Sequence, residues 1–158
     1  MEKEKNKKIK ISKLLRCQPK NGLRALLIAM NYLLLRDFVE HTDSFTSRFL
    51  KENNLGSFSI LERKKYLGDF LNLYNSIKIS GFSEEYPISL CFFTKRIVDG
   101  AHRIAIAIFL KEKELSYKTI LKPIVKNSTK WFHISGFSKQ DIAFLADTFI
   151  DFLGCYNK

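Results

Sequence analysis

Residues 96–110 read RIVDGAHRIAIAIFL, and this stretch decides the fold of the chain. A β-branched pair, Ile97-Val98, predicts a short strand, and the Asp99-Gly100 turn after it leads into an apolar run that predicts a helix over residues 101–111. A strand, a turn and a helix N-terminus in this order form an anion site, because unpaired N–H groups and the positive end of the helix dipole converge there. The sequence therefore predicts an anion pocket, which the polar side chains of the first helical turn would close.

Hydrophobic periodicity predicts helices on both sides of this segment. Residues 22–40 are apolar around almost the whole helix, which predicts burial on several sides. Asp43 or Ser44 would cap a short second helix that ends near residues 53–54. A single apolar stripe predicts a helix over residues 64–80, with Gly81 as its C-terminal stop.

The remaining elements complete a mixed fold. The last helix is predicted over residues 139–153, with Ser138 and Asp141 in a capping box and Gly154 at its end. Strands are predicted over residues 87–93, 96–98 and 117–125, with Pro123 demoting the end of the last one to an edge or bulge. Residues 56–61 fit a loop or a short strand, and residues 127–130 fit a polar connection. The mixture predicts an α+β fold, with a small mixed sheet and added helices at the N- and C-termini.

Composition predicts one folded domain with a basic start. The chain has 158 residues, 46% of them hydrophobic, with 14 Phe, which is enough for a substantial core. Its net charge is +11, and much of the excess lies in residues 1–20. Such a segment suits nucleic acid, an anionic membrane surface or simple solubility, and we expect it to be a solvated, flexible leader.

Cysteine usage and hydropathy favour a cytoplasmic protein. The three cysteines are odd in number, far apart and outside any metal-binding spacing. The lysine-rich start is not followed by the apolar run of a secretory signal. The most hydrophobic stretch, residues 25–35, is broken by Asn31 and is too short to span a bilayer, so no transmembrane segment is expected.

Three short segments resemble, in the expected order, signatures of the ParB/sulfiredoxin superfamily. The helix end from Leu71 to Gly81, with Ser76-Ile77-Lys78 and Gly81-Phe82, is similar to the family's L-x-x-S-I-x-x-x-G segment. Tyr86-Pro87-Ile88 resembles its P-I-x-V strand start. Residues 97–105, IVDGAHRIA, resemble its I-x-D-G-x-H-R-L-A turn and helix. The resemblance covers about residues 58–126. It implies a compact fold that holds nucleotide phosphates at the N-terminus of the motif helix.

The resemblance implies phosphate-binding roles for the motif residues. Backbone N–H groups of Gly100 and Ala101 would bind phosphate oxygens, and His102 and Arg103 would add their side chains. Ser76 would supply a further contact from the preceding helix. The expected ligands are ATP or ADP with Mg²⁺. From the residues alone, the alternative that Arg103 pairs with a surface carboxylate stays open.

The resemblance also implies how phosphoryl transfer would be arranged. Such chemistry needs a metal ligand and a base near the acceptor hydroxyl. Asp99 would hold the metal or anchor the phosphates, and Glu62 is the candidate base, with Glu84 and Glu85 as rivals. The expected catalytic residues are therefore Asp99, His102 and Glu62. The alternatives that Asp99-Gly100 is only a turn and that Glu62 is only a solvated side chain stay open.

Departures from the family pattern narrow the choice of branch. Sulfiredoxins carry a nucleophilic cysteine at the position of Ala101, which has no sulfur to attack with. Cys91 is expected to pack within a strand instead. Chromosome-partitioning ParB proteins continue with a helix-turn-helix region and a dimerisation tail, for which residues 127–158 are too few. The small single-domain branch, which includes free-serine kinases, fits best.

Three functions follow as expectations. The first is transfer of a phosphoryl group from ATP or ADP to a small hydroxyl compound, such as an amino acid, an amino alcohol or a polysaccharide precursor. The second is nucleic-acid binding through the basic N-terminus, and the third is nucleotide sensing without catalysis. The chain is expected to divide into a leader (1–20), a helical extension (21–57), the family core (58–126) and a C-terminal helix (127–158).

Overall fold

A computed structural model describes residues 6–51, 59–121 and 130–156. Four strands and seven helices are found in these residues. In chain order they are β1 (Lys7–Lys10), α1 (Ile11–Arg16), α2 (Leu23–Glu40), α3 (Thr46–Phe49), α4 (Ile60–Ser80), β2 (Ile88–Cys91), β3 (Ile97–Asp99), α5 (Ala101–Phe109), β4 (Glu114–Ile120), α6 (Lys130–Ile134) and α7 (Lys139–Tyr156). Within the described ranges, no helix is both long and apolar enough to cross a bilayer.

The four strands form one mixed sheet in the order β1-β4-β2-β3. β1 runs antiparallel to β4, with Ile9 opposite Leu115, and β2 runs antiparallel to β3. β2 and β4 are parallel, with Leu90 opposite Thr119. The chain crosses between these parallel strands through β3 and α5, as parallel pairing requires. The expected α+β class with a small mixed sheet is therefore confirmed.

The core is built around α2, which packs mainly against α5 and α7. Leu26, Ile28 and Met30 are fully buried on different sides of α2, as its apolar circumference predicts. Residues 104–107 of α5 are also fully buried. α5 follows β3 directly through the turn at Gly100 and packs against α2, so its N-terminus is held between the end of β3 and the central helix.

The described part of residues 1–20 is not the solvated leader that its lysines predict. Lys7–Lys10 form a sheet strand, and Ile11, Leu14 and Leu15 of α1 are fully buried. The apolar residues of this segment recur first every second position, as in a strand, and then every three or four positions, as in a helix. The net charge of the segment does not reveal this pattern. The lysines of β1 stay exposed while Ile9 points into the core.

Gln18 joins this N-terminal unit to the edge of the sheet. Its side-chain amide donates to the Leu14 carbonyl at 2.9 Å and to the Lys95 carbonyl at 3.2 Å. Its side-chain oxygen accepts from the Ile97 N–H at 2.9 Å. The buried Gln18 thus satisfies backbone groups of the β3 edge, next to the turn that begins α5.

Several predicted boundaries move. The helix predicted from residue 64 begins at Ile60, because Ser59 and Glu62 form a capping box there. α7 continues past Gly154 to Tyr156, since a glycine without a positive φ does not end a helix. β4 starts at Glu114 rather than residue 117. Predictions for residues 1–5, 56–58, 122–125 (with Pro123) and 127–129 lie outside the described residues.

Other local predictions are confirmed. Gly81 ends α4 with φ of 75°. Ser138 and Asp141 form the predicted capping box, with the Asp141 N–H bound to Ser138 Oγ at 3.0 Å. The predicted short helix is α3, but the Asp37 carboxylate, rather than Asp43 or Ser44, accepts the N–H groups at its start.

Candidate functional site

The turn between β3 and α5 depends on Gly100. This residue has φ of 115°, a conformation that L side chains rarely adopt. A Cβ atom there would lie 2.6 Å from Ile88 Cγ2, so β2 also requires glycine at this position. The first intrahelical hydrogen bond joins the Ile104 N–H to the Gly100 carbonyl at 3.0 Å. The N–H groups of residues 101–103 therefore precede the helical ladder, and N–H groups in this position are suited to binding an anion.

A cavity of about 730 Å³ opens at this helix end. Asp99, Gly100, His102 and Arg103 line one side, and Ser76 lines the other from the last turns of α4. The loop from α4 to β2 completes the wall. The structure thus brings together Ser76 and the motif turn, which are more than 20 residues apart in the sequence. The volume is within the usual range of small-molecule sites.

Arg103 is held across the mouth of the turn. Its guanidinium donates to the Tyr86 carbonyl, and its Nη2 atom lies 3.6 Å from Asp99 Oδ2. The Arg103 side chain is 21% exposed, whereas that of Asp99 is 73% exposed. Arg103 therefore does pair with a carboxylate, as the alternative interpretation of the sequence allowed, but that carboxylate belongs to Asp99 of the same cavity. This pairing orients the guanidinium while both groups remain on the cavity wall.

His102 lies against two aromatic rings of α4. Its ring centroid is 5.0 Å from that of Tyr66 and 5.4 Å from that of Phe70. Burial lowers the pKa of His102 below its usual value, the Asp99 charge opposes this shift, and the charges of Arg103 and Arg24 reinforce it. Burial thus favours the neutral form of the His102 imidazole, which is the form that can accept a proton.

A second cavity, of about 310 Å³, shares Asp99 and His102 with the first. Ala101 and Trp131 also line it, as does Tyr66. Its remaining wall is the first turn and a half of α2, from Leu23 through Arg24 to Leu27. Asp99 and His102 thus lie between two spaces of different size and lining.

Asp99 is the carboxylate at the centre of the site. It lies at the end of β3, opposite Ser89 of β2. The described residues contain no group of three or more His, Cys, Asp or Glu side chains that could hold a metal ion by themselves. Mg²⁺ commonly binds through one or two carboxylates plus substrate phosphates, so one exposed aspartate beside an anion site fits this ion.

Glu62 lies apart from these residues. Its carboxylate accepts the Ser59 N–H at 2.7 Å at the exposed start of α4. It is absent from the described linings of both cavities that contain Asp99. The glutamate thus has a capping role in the structure, and its part in catalysis stays a prediction.

The sequence leaves open whether the N-terminal extension covers the nucleotide site, shapes an acceptor pocket or forms a dimer surface, and it does not show which residues outside the motif reach the site. Arg24 of the extension and Trp131 of the C-terminal part lie far from the motif in the chain, yet both line the second cavity. The apolar stripe of α4 predicts only core packing for Tyr66, although its ring contacts His102. In the sequence, such a residue shows only as a polar or aromatic side chain at the margin of an apolar helix stripe. That position does not show which distant residues it contacts in the fold.

Compared with known proteins, the chain matches no family model, no curated protein and no solved structure. Inference about its function therefore depends on the residues and geometry of the two cavities.

Proposed function

We propose that this chain is a nucleotide-binding domain of the ParB/sulfiredoxin type that transfers a phosphoryl group from ATP or ADP to a small hydroxyl compound. One observation carries the proposal: Asp99 and His102 line two adjacent cavities, and the larger one contains the N-terminus of α5. A phosphotransferase needs a donor site and an acceptor site that meet at the reacting groups.

The larger cavity is the proposed donor site. Its 730 Å³ suits a nucleotide, and the N–H groups at the start of α5 are suited to the phosphates. Arg103 adds a planar cation that matches phosphate oxygens, and Ser76 adds a hydroxyl from α4. Asp99 would hold Mg²⁺, which neutralises negative charge on the phosphates when it is bound.

The residues between the cavities support the transfer step. The acceptor hydroxyl oxygen forms a bond to the terminal phosphorus, and the bond from that phosphorus to the bridging oxygen breaks. The electron pair leaves with the shortened nucleotide, and the hydroxyl proton passes to a base. His102 is the base we assign, because it lines both cavities and its burial favours the neutral imidazole.

Two features limit the alternatives. Ala101 stands where sulfiredoxins carry their cysteine, and Cys91 is buried in β2 and lines neither cavity. The basic N-terminus supports nucleic-acid binding less well, since Lys8 lies 3.6 Å from Glu114 and β1 belongs to the sheet. A nucleotide sensor without catalytic activity would use the same donor site. A measurement of nucleotide turnover distinguishes it from a phosphotransferase.

Nucleotide binding by the Arg103→Ala variant tests the donor site. We expect Mg²⁺-ATP or Mg²⁺-ADP to bind the wild type, and Arg103→Ala to raise the Kd roughly 10- to 100-fold through loss of charge-assisted hydrogen bonds. Calorimetric titration measures both values. Arg16→Ala is the matched control, because Arg16 is exposed on α1 and bonds only to the Ser12 carbonyl among described residues. Folded wild type that binds neither nucleotide would refute the proposal.

Turnover then separates a kinase from a sensor. A panel of amino acids, amino alcohols and sugars is incubated with Mg²⁺ and nucleotide, and loss of the nucleotide is followed. His102→Gln should lower kcat about 10²- to 10⁴-fold, a larger effect than its effect on nucleotide affinity, because a general base acts in the transfer step while His102 also borders the nucleotide cavity. Wild type that binds nucleotide without consuming it on any acceptor would identify a sensor instead.

A further inference from the structure

We infer that the turn between β2 and β3 docks on the surface of an anionic lipid bilayer. Phe92 and Phe93 of this turn, together with Leu121 after β4, form an exposed apolar cluster, which we call the aromatic tip. The tip enters the boundary between headgroups and acyl chains, and the Lys and Arg side chains around it bind the headgroups. The inference does not rest on the proposed function.

The first argument is the exposure of the aromatic tip. Phe93 is 80% exposed, Leu121 77% and Phe92 52%. The Phe92 N–H donates to the Ile120 carbonyl at 3.0 Å, which brings the end of β4 beside the turn. The two Phe rings meet edge to face, with their centroids 5.3 Å apart. A contiguous group of large apolar side chains with this exposure marks an interaction surface.

The second argument is the fixed geometry of the turn. The Lys95 N–H donates to the Cys91 carbonyl at 2.9 Å, and the Cys91 N–H donates to the Arg96 carbonyl at 2.8 Å. Turns favour Gly, Asn, Asp and Ser, whereas this one holds two exposed Phe side chains and places Lys95 at a φ of 58°. Because the backbone is already closed by hydrogen bonds, insertion costs little conformational entropy.

The third argument is the set of cations around the tip. The Lys95 ammonium lies 5.4 Å from the centroid of the Phe92 ring. The Gln18 side chain joins the end of α1 to the Lys95 carbonyl, so the exposed Arg16 and Lys20 also belong to this end of the molecule. Lys and Arg side chains near an anionic bilayer strengthen attachment to it.

The partner is identified by charge and by shape. Residues 11–20, 86–98 and 115–121 meet at this end, and they contain Lys and Arg but no Asp or Glu. An anionic partner therefore meets no acidic side chain of these segments. Edge-to-face rings beside a leucine suit acyl chains, whereas nucleic-acid bases stack on flat aromatic faces. A stable protein interface buries about 800 Å² per partner, more than three side chains supply.

The tip and the two cavities lie at opposite ends of the β2–β3 pair. Ser89 is opposite Asp99 at the cavity end, whereas the Cys91 and Arg96 backbones are joined at the turn. The described linings of both cavities contain none of the tip residues. Docking through the tip therefore leaves the cavities open to small molecules.

Vesicle flotation with the full chain tests the inference. We expect binding to phosphatidylcholine vesicles that contain phosphatidylglycerol, weaker binding to phosphatidylcholine alone, and a decrease with added salt. The double variant Phe92→Ser/Phe93→Ser should bind anionic vesicles about 10-fold or more weakly. Ile79→Ser is the matched control, since Ile79 is 85% exposed on α4 and lines neither cavity. Unchanged binding by the double variant would overturn the inference.

Two lysines with the same backbone conformation separate local from overall charge. Lys95 has φ of 58° at the tip, and Lys111 has φ of 59° before the opposite end of β4. Lys95→Asn should weaken binding to anionic vesicles about 5-fold, and Lys111→Asn should change it little. Asparagine tolerates the left-handed conformation at both positions. Equal effects would show dependence on net charge alone and would contradict docking through the tip.

A tryptophan at the tip distinguishes insertion from adsorption. In a Trp131→Phe background, Phe93→Trp is the only tryptophan of the chain. Its emission should shift to shorter wavelength on anionic vesicles, because the ring leaves water. An unchanged emission would refute insertion. Wild type that ignores vesicles but binds duplex DNA, or associates with itself, through Phe92 and Phe93 would also overturn the inference.

The two proposals fail separately. The Phe92→Ser/Phe93→Ser variant should bind nucleotide as wild type does, and Arg103→Ala should bind vesicles as wild type does. Vesicle binding through the tip without nucleotide binding would leave this inference standing and refute the proposed function. Nucleotide binding without vesicle binding would do the reverse.

Discussion

Gly100 occupies the position where the strand, the turn and the helix of the site meet. Its φ of 115° and the 2.6 Å that would separate an added Cβ atom from Ile88 Cγ2 are independent requirements for glycine. The first concerns the backbone of the turn, and the second concerns the approach of that turn to β2. Both fix the start of α5 at the wall of the larger cavity, so this part of the site is built into the packing of the sheet.

Gly100→Ala should therefore destabilise the protein. A left-handed conformation at alanine and the overlap with Ile88 together cost about 2–4 kcal/mol. Urea unfolding measures the change in the free energy of unfolding. Gly68→Ala is the control of opposite sign: Gly68 lies inside α4 with no atom within 4 Å of an added Cβ, so alanine should stabilise by about 0.5–1 kcal/mol. A Gly100→Ala protein as stable as wild type would contradict this account.

At the scale of elements, one buried carboxylate organises the connection from α2 to α3. Asp37 accepts the N–H groups of Phe45 and Thr46 at 2.7 and 2.8 Å, and the Thr42 hydroxyl at 2.9 Å. Burial alone would raise the pKa of Asp37, but these hydrogen bonds lower it to about 2. The connection thus depends on the ionised carboxylate, which holds α3 at the end of the central helix.

Stability should consequently fall in acid through Asp37. Because its folded-state pKa lies below the ordinary value of 3.8, its contribution is present above about pH 4 and is lost as pH falls toward 2. Asp37→Asn should cost about 2 kcal/mol at pH 7 and reduce the acid dependence in that window. Urea unfolding at several pH values checks both. Asp69→Asn, in an exposed pair with Lys65, should change little, and equal effects of the two variants would contradict the prediction.

At the scale of the whole molecule, the N-terminal unit completes both the sheet and the core. β1 covers the edge of β4, and α1 buries Leu14 and Leu15. Gln18 then connects this unit to β3, directly before the motif turn. The turn that borders the larger cavity is therefore supported from the N-terminal unit as well as from the motif itself.

Leu14→Ala tests this integration. Removing a fully buried leucine side chain should lower the free energy of unfolding by about 2–5 kcal/mol. Lys13→Ala, at the more exposed neighbouring position, should be almost neutral. Thermal and urea unfolding compare the two. A flexible leader would make both substitutions neutral, and that result would refute the structural role of α1.

Much of the local structure could be predicted from the sequence, and the site only in part. The 3.6-residue periodicity and the stop at Gly81 identified α2, α4 and α7 with boundaries a few residues off, because caps such as Ser59-Glu62 extend a helix beyond its apolar stripe. The motif turn located Gly100 at the start of α5. The lysines around Ile9 hid β1, since net charge is a property of a segment and burial is a property of each residue.

The sequence by itself determined the strand–turn–helix unit at residues 96–110, because glycine conformation and hydrophobic periodicity act over a few neighbouring residues. Only the tertiary structure decided that Arg24, Tyr66 and Trp131 form a second cavity beside Asp99 and His102. That arrangement depends on how α2 packs on α5 and where the sheet places β3. Packing between distant segments is set by the shape of the whole core, which no local pattern of residues records.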